Sequence, residues 1–316
     1  MTRKISKIPK HAAILLRKAI YFGLPVAFWD ILDRVTKRSG FINQKKHNVI
    51  INWLTKHYEY FISDYRDKIK NTPISSQIPK QIWICWWDGI DIMPPVVKAC
   101  YNSVLRHAND FRVTVITKDN IGDFISIPDH IQKKIKSGRI TITHLSDIIR
   151  MLLLDKYGGI WFDATVLVTG AINFDNMSFF TIRRDFGGRN ISRQRWTGNC
   201  IGGTPKHHLF GFMSEFFREY WKKHNEMIDY FLIDYSIEVA YNSIPEIKEI
   251  INGVRQSNKN YMVLQKSLGK ELDPLFFAET IENTVFHKLD WKKKFPTTTS
   301  ENKPTLYGHI LREYSK

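Results

Sequence analysis

ITITHLSDIIRMLLLDKYGGIWFDATVLVTG, Ile140 to Gly170, is the stretch whose reading decides the fold. From Thr143 to Lys156 its apolar residues run nearly all round a helical wheel, the pattern of a buried helix. Two charges interrupt that pattern. Asp147 and Arg150 stand three residues apart and so share one face. Burying two charges is expensive, which favours a task for the pair over a surface ion pair. Tyr157-Gly158-Gly159 reads as a left-handed glycine stop. Ile160-Trp161-Phe162 then reads as a short buried strand that delivers Asp163 at its carboxyl end. In open α/β sheets ligands bind beyond the carboxyl ends of the strands. The stretch therefore predicts one pocket floored by Asp163, Asp147 and Arg150.

Upstream, residues 81–87 of IPKQIWICWWDG (Ile78–Gly89) form a nearly continuous apolar run, as a buried parallel strand does. Pro94-Pro95 opens a helix over Val96–Arg106. Phe111–Thr117 alternates as a second strand, and a helix follows over His130–Lys136, ended by Ser137-Gly138. Strand, helix, strand, helix predicts a mostly parallel α/β sheet flanked by helices, with right-handed crossovers. Downstream, strands are expected at Phe179–Ile182 and Asn199–Gly203, and helices at Pro205–His224, Met227–Tyr241 and Pro245–Ile251. No repeat, low-complexity segment or further domain boundary interrupts them.

Residues 1–72 read as helical, with segments at Ala12–Ile20, Val26–Val35 and Val49–Ile69, ahead of the linker-like Asn71–Ser76. The expected division is a basic N-terminal extension, 1–72, and a main domain, 73–316. Two readings of the extension stay open. It is a basic amphipathic cap on a membrane, with Phe22, Phe28 and Trp29 dipping in, or a helical layer packed on the main domain.

The 316 residues are 43% hydrophobic and 13% aromatic, enough for a large core and against wholesale disorder. Cys85, Cys100 and Cys200 are odd in number and far apart, so neither a disulfide framework nor a zinc pattern follows, and a reducing cytoplasm is the expected setting. The net charge of +16 recurs at Arg3–Lys18, Lys37–Lys56, Lys133–Arg139, Arg183–Arg195 and Lys288–Lys294. Such a surface suits anionic partners, membrane and diphosphates ahead of nucleic acid, for which no module motif is present. No stretch reaches the ~20 apolar residues of a membrane span. Ala19–Trp29 is too short, contains Gly23 and Pro25, and is followed by no small-residue cleavage site, so it does not read as a signal peptide.

A strand-end carboxylate can hold a divalent cation or a sugar hydroxyl, and oxygen ligands suit Mg²⁺ or Mn²⁺ shared with substrate phosphates. Trp83, Trp86 and Trp87 end the first strand and are candidates to stack a nucleobase, against the plainer role of core packing. Asn199 joins them as a candidate donor contact. His287 is either a metal ligand or an ordinary hydrogen-bonded residue. Arg183, Arg184, Arg189, Arg193 and Arg195 surround a Gly-rich loop, to hold an acceptor diphosphate or to form a solvated face. The P-loop, G-x-G-x-x-G, G-x-S-x-G and H-E-x-x-H patterns are all missing, so hydrolase and dehydrogenase chemistry has no local support.

The combination Ser146-Asp-Ile-Ile-Arg150 with Tyr157-Gly-Gly-Ile-Trp-Phe-Asp-Ala-Thr165 resembles the capsular polysaccharide synthesis protein family. That family is related to the DXD sugar transferases of glycosyltransferase family 32, among them the large clostridial glucosylating toxins. The resemblance extends to Ile78–Gly89, Pro94–Val104 and Tyr230–Tyr235, and covers about residues 45–312. It implies a GT-A type, Rossmann-like fold, a nucleotide-sugar donor and transfer with retention. It places Asp147 and Arg150 on the donor sugar and Asp163 on ribose or sugar. The second Asp of D-x-D, the usual metal ligand, is Thr165 here, so either the expected Mn²⁺ or Mg²⁺ falls to Asp163, Thr165 and His287, or positive side chains replace it. The expected protein is a glycosyltransferase of bacterial capsule synthesis on the inner face of the cell membrane. It would extend a lipid-linked oligosaccharide and bind no nucleic acid. The alternative is an inactive subunit that binds nucleotide-sugar or glycan, for which Thr165 speaks.

Overall fold

The structure is a computed structural model that describes residues 8–36, 39–185 and 187–315. Arg3, Lys4 and Lys7 of the first basic stretch, and Lys37 and Arg38 of the second, lie outside the described residues. Four helices come first: α1 (Ile8–Phe22), α2 (Leu24–Val35), α3 (Gly40–His57) and α4 (Glu59–Ile69). The α/β body follows as β1 (Gln81–Cys85), α5 (Pro95–His107), β2 (Arg112–Ile116), α6 (Ile121–Phe124), α7 (Asp129–Lys136), α8 (Ile142–Tyr157) and β3 (Gly159–Asp163). Then come β4 (Val166–Val168), β5 (Phe179–Thr181), β6 (Cys200–Gly203), α9 (His208–Lys223), α10 (Leu232–Ser243) and α11 (Pro245–Gly253). The last elements are α12 (Val263–Ser267), α13 (Pro274–Glu282), β7 (Phe286–Lys288) and α14 (Leu306–Glu313).

The main sheet has the order β2-β1-β3-β6-β5. β1 runs parallel to both β2 and β3, and β6 runs antiparallel to β3 and β5. The expected fold class, a mostly parallel sheet between helices with a helical N-terminal extension, is the observed one. From β1 the chain moves to one side for β2 and to the other for β3. The order therefore reverses between β1 and β3, the topological switch point where such sheets leave a crevice. Cys85 and Asp163 face each other across it as register partners.

Side chains alternate across the strands and feed two cores. Trp83, Trp161 and Ile201 point to the layer of α8, α9 and α10. Ile82, Ile84, Ile160 and Phe162 point to the layer containing α5, α12 and α14. The helices α3 and α4 belong to the first core. Tyr58 packs on Phe216 with ring centroids 4.7 Å apart, and Phe61 on Phe212 at 5.3 Å. Each aromatic so buried contributes about 2 kcal/mol, enough to dock the two helices firmly. Phe22 is also buried, edge-on to Trp53. Of the three aromatics expected to dip into a membrane, Phe22 is thus a core residue; Phe28 is exposed and Trp29 half-buried.

Two of the differences from the expected boundaries have a visible cause. The helix expected over Val49–Ile69 is two helices that meet at Tyr58, whose ring turns inward to Phe216 and Tyr220. The helix expected from Met227 begins at Leu232, because Asp229 accepts from the backbone N–H of Phe231 and pairs with Lys46 instead of continuing a helix.

Candidate functional site

The helix α8 starts where Thr141 caps the N–H of His144 and stops at Gly158, whose φ is 64°. Gly159 follows at φ 93°, and a Cβ there would stand 2.5 Å from the carbonyl oxygen of Gln81. Only glycine lets β3 turn out of the helix and pair with β1 at once. The corner lays α8 across the sheet so that Arg150 reaches the end of β3. Arg150 Nη2 donates to Asp163 Oδ1 at 3.0 Å and lies 3.3 Å from Asp147 Oδ1. Its guanidinium sits 5.0 Å from the centre of the Trp161 ring. Asp147, Arg150 and Asp163, predicted from the sequence to share a pocket, are brought together.

Behind them Trp221 donates to His144 Nε2 at 3.0 Å, which leaves a proton on Nδ1, 3.4 Å from Asp147 Oδ2. Asp163 Oδ1 also accepts from Trp161 Nε1 at 3.0 Å. The other oxygen, Oδ2, accepts from Lys288 Nζ at 3.0 Å, and the same ammonium donates to Thr165 Oγ1 at 2.5 Å. Burial works to raise the Asp163 carboxyl. The charges of Lys288 and Arg150 and the Trp161 and Lys288 hydrogen bonds outweigh it and hold the group below its ordinary value. Asp163 is an anion fixed from two sides, with 27% of its side chain still open.

Lys288 was not anticipated individually. It arrives on β7, antiparallel to β4 with Val166 opposite Lys288. The N–H of Leu289 donates to the carbonyl of Thr165 at 2.9 Å and locks the register. The one available signal was a basic residue in a short alternating segment, which does not say where that segment pairs.

A cavity of about 510 Å³ opens beside this cluster. It is lined by Lys46, Arg184, Gly198, Asn199, Asp234 and Tyr261 among others. Gly198 joins it to the cluster: a Cβ there would lie 3.1 Å from Arg150 Nη1. Asn199 accepts the N–H of Asp163 on its carbonyl at 2.9 Å and the Tyr261 hydroxyl on Oδ1 at 2.5 Å. Asp234, on α10, accepts from Trp196 Nε1 at 2.9 Å. Burial, with the charge of Asp147 adding, pushes its carboxyl up to about 6. The exposed Tyr230 precedes the cavity residue Phe231, its hydroxyl pushed up by burial and by the charges of Asp147 and Asp163.

Two expectations are corrected. Trp83 is a core residue: it donates to Gly158 O at 2.9 Å and packs against Phe124 and Tyr157, so it has no free face for a base. Trp86 and Trp87 are half-buried past the end of β1, with Trp86 edge-on to Trp291 at 5.5 Å. His287 is not placed to bind a metal with Asp163. It lies on the opposite face of β7 from Lys288, fully buried, with Nε2 3.1 Å from Thr169 Oγ1, and burial brings its imidazole down to about 4.

The remaining donors do not fit a divalent cation as arranged. Mn²⁺ or Mg²⁺ needs several oxygen ligands at about 2.1 Å. Both Asp163 oxygens already accept hydrogen bonds, and Thr165 Oγ1 faces an ammonium. Among the described residues no group of three His, Cys, Asp or Glu could hold a metal. Of the loop arginines, Arg183 caps the carbonyls of Asn252 and Val254, and Arg195 pairs with Glu238 and stacks on Trp196 and Tyr241. Arg184 and Arg189 line the cavity.

Comparison with known proteins adds the following. The capsular polysaccharide synthesis protein family matches residues 34–310. The O-glycosyltransferase braB of Annulohypoxylon truncatum is 30% identical over 101 residues, 29% of this chain and 24% of its own length. The chain thus spans about a quarter of that relative, 24%. Among solved structures, the PaToxG glycosyltransferase superposes with a TM-score of 0.35 at 14% identity, over 66% of this chain and 83% of its own. The galactosyltransferase LgtC, in complex with donor and acceptor sugar analogs, superposes at 0.37 and 11% identity, over 75% of this chain and 96% of its own.

Proposed function

We propose, from the premise that this chain belongs to the capsular polysaccharide synthesis protein family, that it is a glycosyltransferase working in the assembly of a bacterial capsule or similar surface glycan. The donor is a nucleotide-diphosphate sugar and the acceptor a lipid-linked oligosaccharide. The single observation that carries the reading is Asp163, an anion at the switch point of the sheet, held between Arg150 and Lys288 at the edge of the cavity.

The chemistry follows from those groups. Asp147 and Asp163 accept hydrogen bonds from sugar hydroxyls and orient the ring. Arg150, sealed behind the two acids, holds them in place, and positive charge at the crevice meets the diphosphate. The bond from the anomeric carbon to the phosphate oxygen breaks, and its electron pair stays on the diphosphate. The acceptor hydroxyl oxygen bonds to that carbon from the same side, and its proton passes to the departing phosphate oxygen. The products are the extended acceptor and a nucleoside diphosphate, with configuration retained.

A donor panel tests this, scoring nucleoside diphosphate release with each sugar nucleotide. Asp163→Asn should lower release by about 10²–10³-fold, the effect of losing one preorganised polar group at developing charge. Asn keeps an acceptor for Trp161 and Asp147 still pairs with Arg150, so the variant should stay folded. A fully active variant would remove Asp163 from the site.

Peripheral attachment to the inner face of the cell membrane belongs to the same proposal. Support comes from Leu16, Ile20, Leu24 and Phe28, which are exposed on α1 and α2 beside the cationic Arg17. Among the described residues no helix is long and apolar enough to cross a membrane. Ile20→Glu with Leu24→Glu should reduce partition onto anionic vesicles about tenfold or more; unchanged partition defeats the attachment.

A further inference from the structure

We propose that Lys288 stands in for the divalent cation of this site and is the group that neutralises the departing diphosphate; the inference rests on the glycosyltransferase reading above. Position is the first argument. Lys288 Nζ lies between Asp163 Oδ2 and Thr165 Oγ1, at 3.0 and 2.5 Å. Asp163 is the first acid of the D-x-D pattern, and Thr165 stands where its second acid, the usual metal ligand, would be.

Charge is the second. Two carboxylates and a divalent cation sum to zero formal charge, and so do one carboxylate and one ammonium. Thr165 in place of a second Asp and an ammonium in place of a metal are therefore matched changes. With Arg150 and Asp147 also present as one cation and one anion, the cluster of four charges sums to zero.

The third argument is an unspent donor. An ammonium has three N–H groups. Among the described residues its recorded acceptors are Asp163 and Thr165, so one donor remains. The Lys288 side chain keeps 20% exposure, so this third donor is open to a ligand in the crevice. The fourth is rigidity. The Lys288 N–H donates to Tyr261 O at 2.8 Å, and the next N–H donates to Thr165 O at 2.9 Å. Backbone bonds on both sides hold the lysine in place, as a preorganised charge must be held. In the transfer step the oxygen that keeps the electron pair of the broken bond meets this third N–H, and the lysine itself neither gains nor loses a proton.

The experiment measures binding of UDP, GDP, ADP and CDP to the full chain by calorimetry, with Mn²⁺ and with excess chelator. Wild type is compared with Lys288→Gln and Lys288→Arg, each checked for fold by circular dichroism. The expected result is that wild type binds one nucleoside diphosphate equally well with chelator and with Mn²⁺. Lys288→Gln then binds at least about tenfold more weakly in both, the loss of one charge-assisted hydrogen bond, and Lys288→Arg recovers most of it. Binding that disappears on chelation while Lys288→Gln binds normally with Mn²⁺ overturns the proposal. Chelator-indifferent binding that Lys288→Gln leaves intact overturns it too, since another group would then carry the charge. If wild type binds none of the four under either condition, the glycosyltransferase reading itself fails and this inference falls with it.

Discussion

Two aspartates in this molecule are each held by one lysine and one arginine, and they are arranged inside out with respect to each other. Asp30, on α2, accepts from Lys18 at 3.0 Å and Arg34 at 3.1 Å. Asp163 accepts from Lys288 at 3.0 Å and Arg150 at 3.0 Å. In both, burial raises the carboxyl and the two cations more than cancel it, so each ends below its ordinary value. The difference is which partner faces out. At Asp30 the acid is sealed, 5% exposed, and its arginine is the open member at 53%. At Asp163 the arginine is sealed at 6% and the acid is open at 27%. A sealed acid has spent its charge inside the protein and ties helices together. An open acid with cations behind it presents a fixed charge pattern to something else. Ion pairs in a structure become informative about function once that orientation is read.

The two should separate cleanly on mutation. The largest effect belongs to Asp163→Asn, with transfer down about 10²–10³-fold and a cost in stability smaller than that of Asp30→Asn, because the sealed Arg150 keeps Asp147 at 3.3 Å. Asp30→Asn is the mirror case. It should cost about 3 kcal/mol of unfolding free energy, at the low end for a broken buried pair because Arg34 is already solvated, and leave turnover per folded molecule intact. Urea unfolding checks it. The sign of its pH dependence is fixed. A carboxyl held low contributes stability above the ordinary carboxylate range and loses it as pH falls through its folded value. The gap between wild type and variant should therefore narrow below about pH 4. A gap that stays constant would show that the ion pair is not its source.

Asp234 sharpens the contrast, being an aspartate with a Trp196 hydrogen bond and, among the described residues, no cation bonded to it. Its carboxyl is pushed up to about 6 from 3.8, chiefly by burial. The unfolded chain thus ionises first as pH rises, and the folded state loses stability across that window. Asp234→Asn should be more stable than wild type by about 1–2 kcal/mol above pH 6, a figure reduced for partial solvent contact, with the gain absent below about pH 4. Melting curves at pH 4 and pH 7.5 test it; a gain of equal size at both would assign the effect to packing.

What could be read from the sequence was whatever local physics decides. The buried helix with Asp147 and Arg150, the glycine corner and Asp163 at a strand end all lie within one contiguous stretch, and their geometry follows from helix and strand periods. Lys288 lies 125 residues from Asp163 and reaches it through the β4–β7 pairing, which no local pattern announces. Its neighbour His287, open in the sequence between metal ligand and ordinary hydrogen-bonded residue, is the latter. In a strand, one residue is the difference between the crevice and the opposite face. Trp83 takes the plainer of its two expected roles, core packing, for a similar reason. It was grouped with Trp86 and Trp87 by proximity, but it lies inside β1 while they lie beyond its end. Tyr58 broke an expected helix because tertiary packing on Phe216 outweighed a continuous helical pattern.

The late arrival of β7 also sets an order in time. During synthesis β1, β2, β3, β5 and β6 leave the ribosome before Phe286–Lys288, so the main sheet can pair while Asp163 still lacks its lysine. A nascent chain at that stage has the arginine side of the site and an unbalanced acid on the other. Among the described residues the site's charge is completed by the final residue of the last strand in chain order.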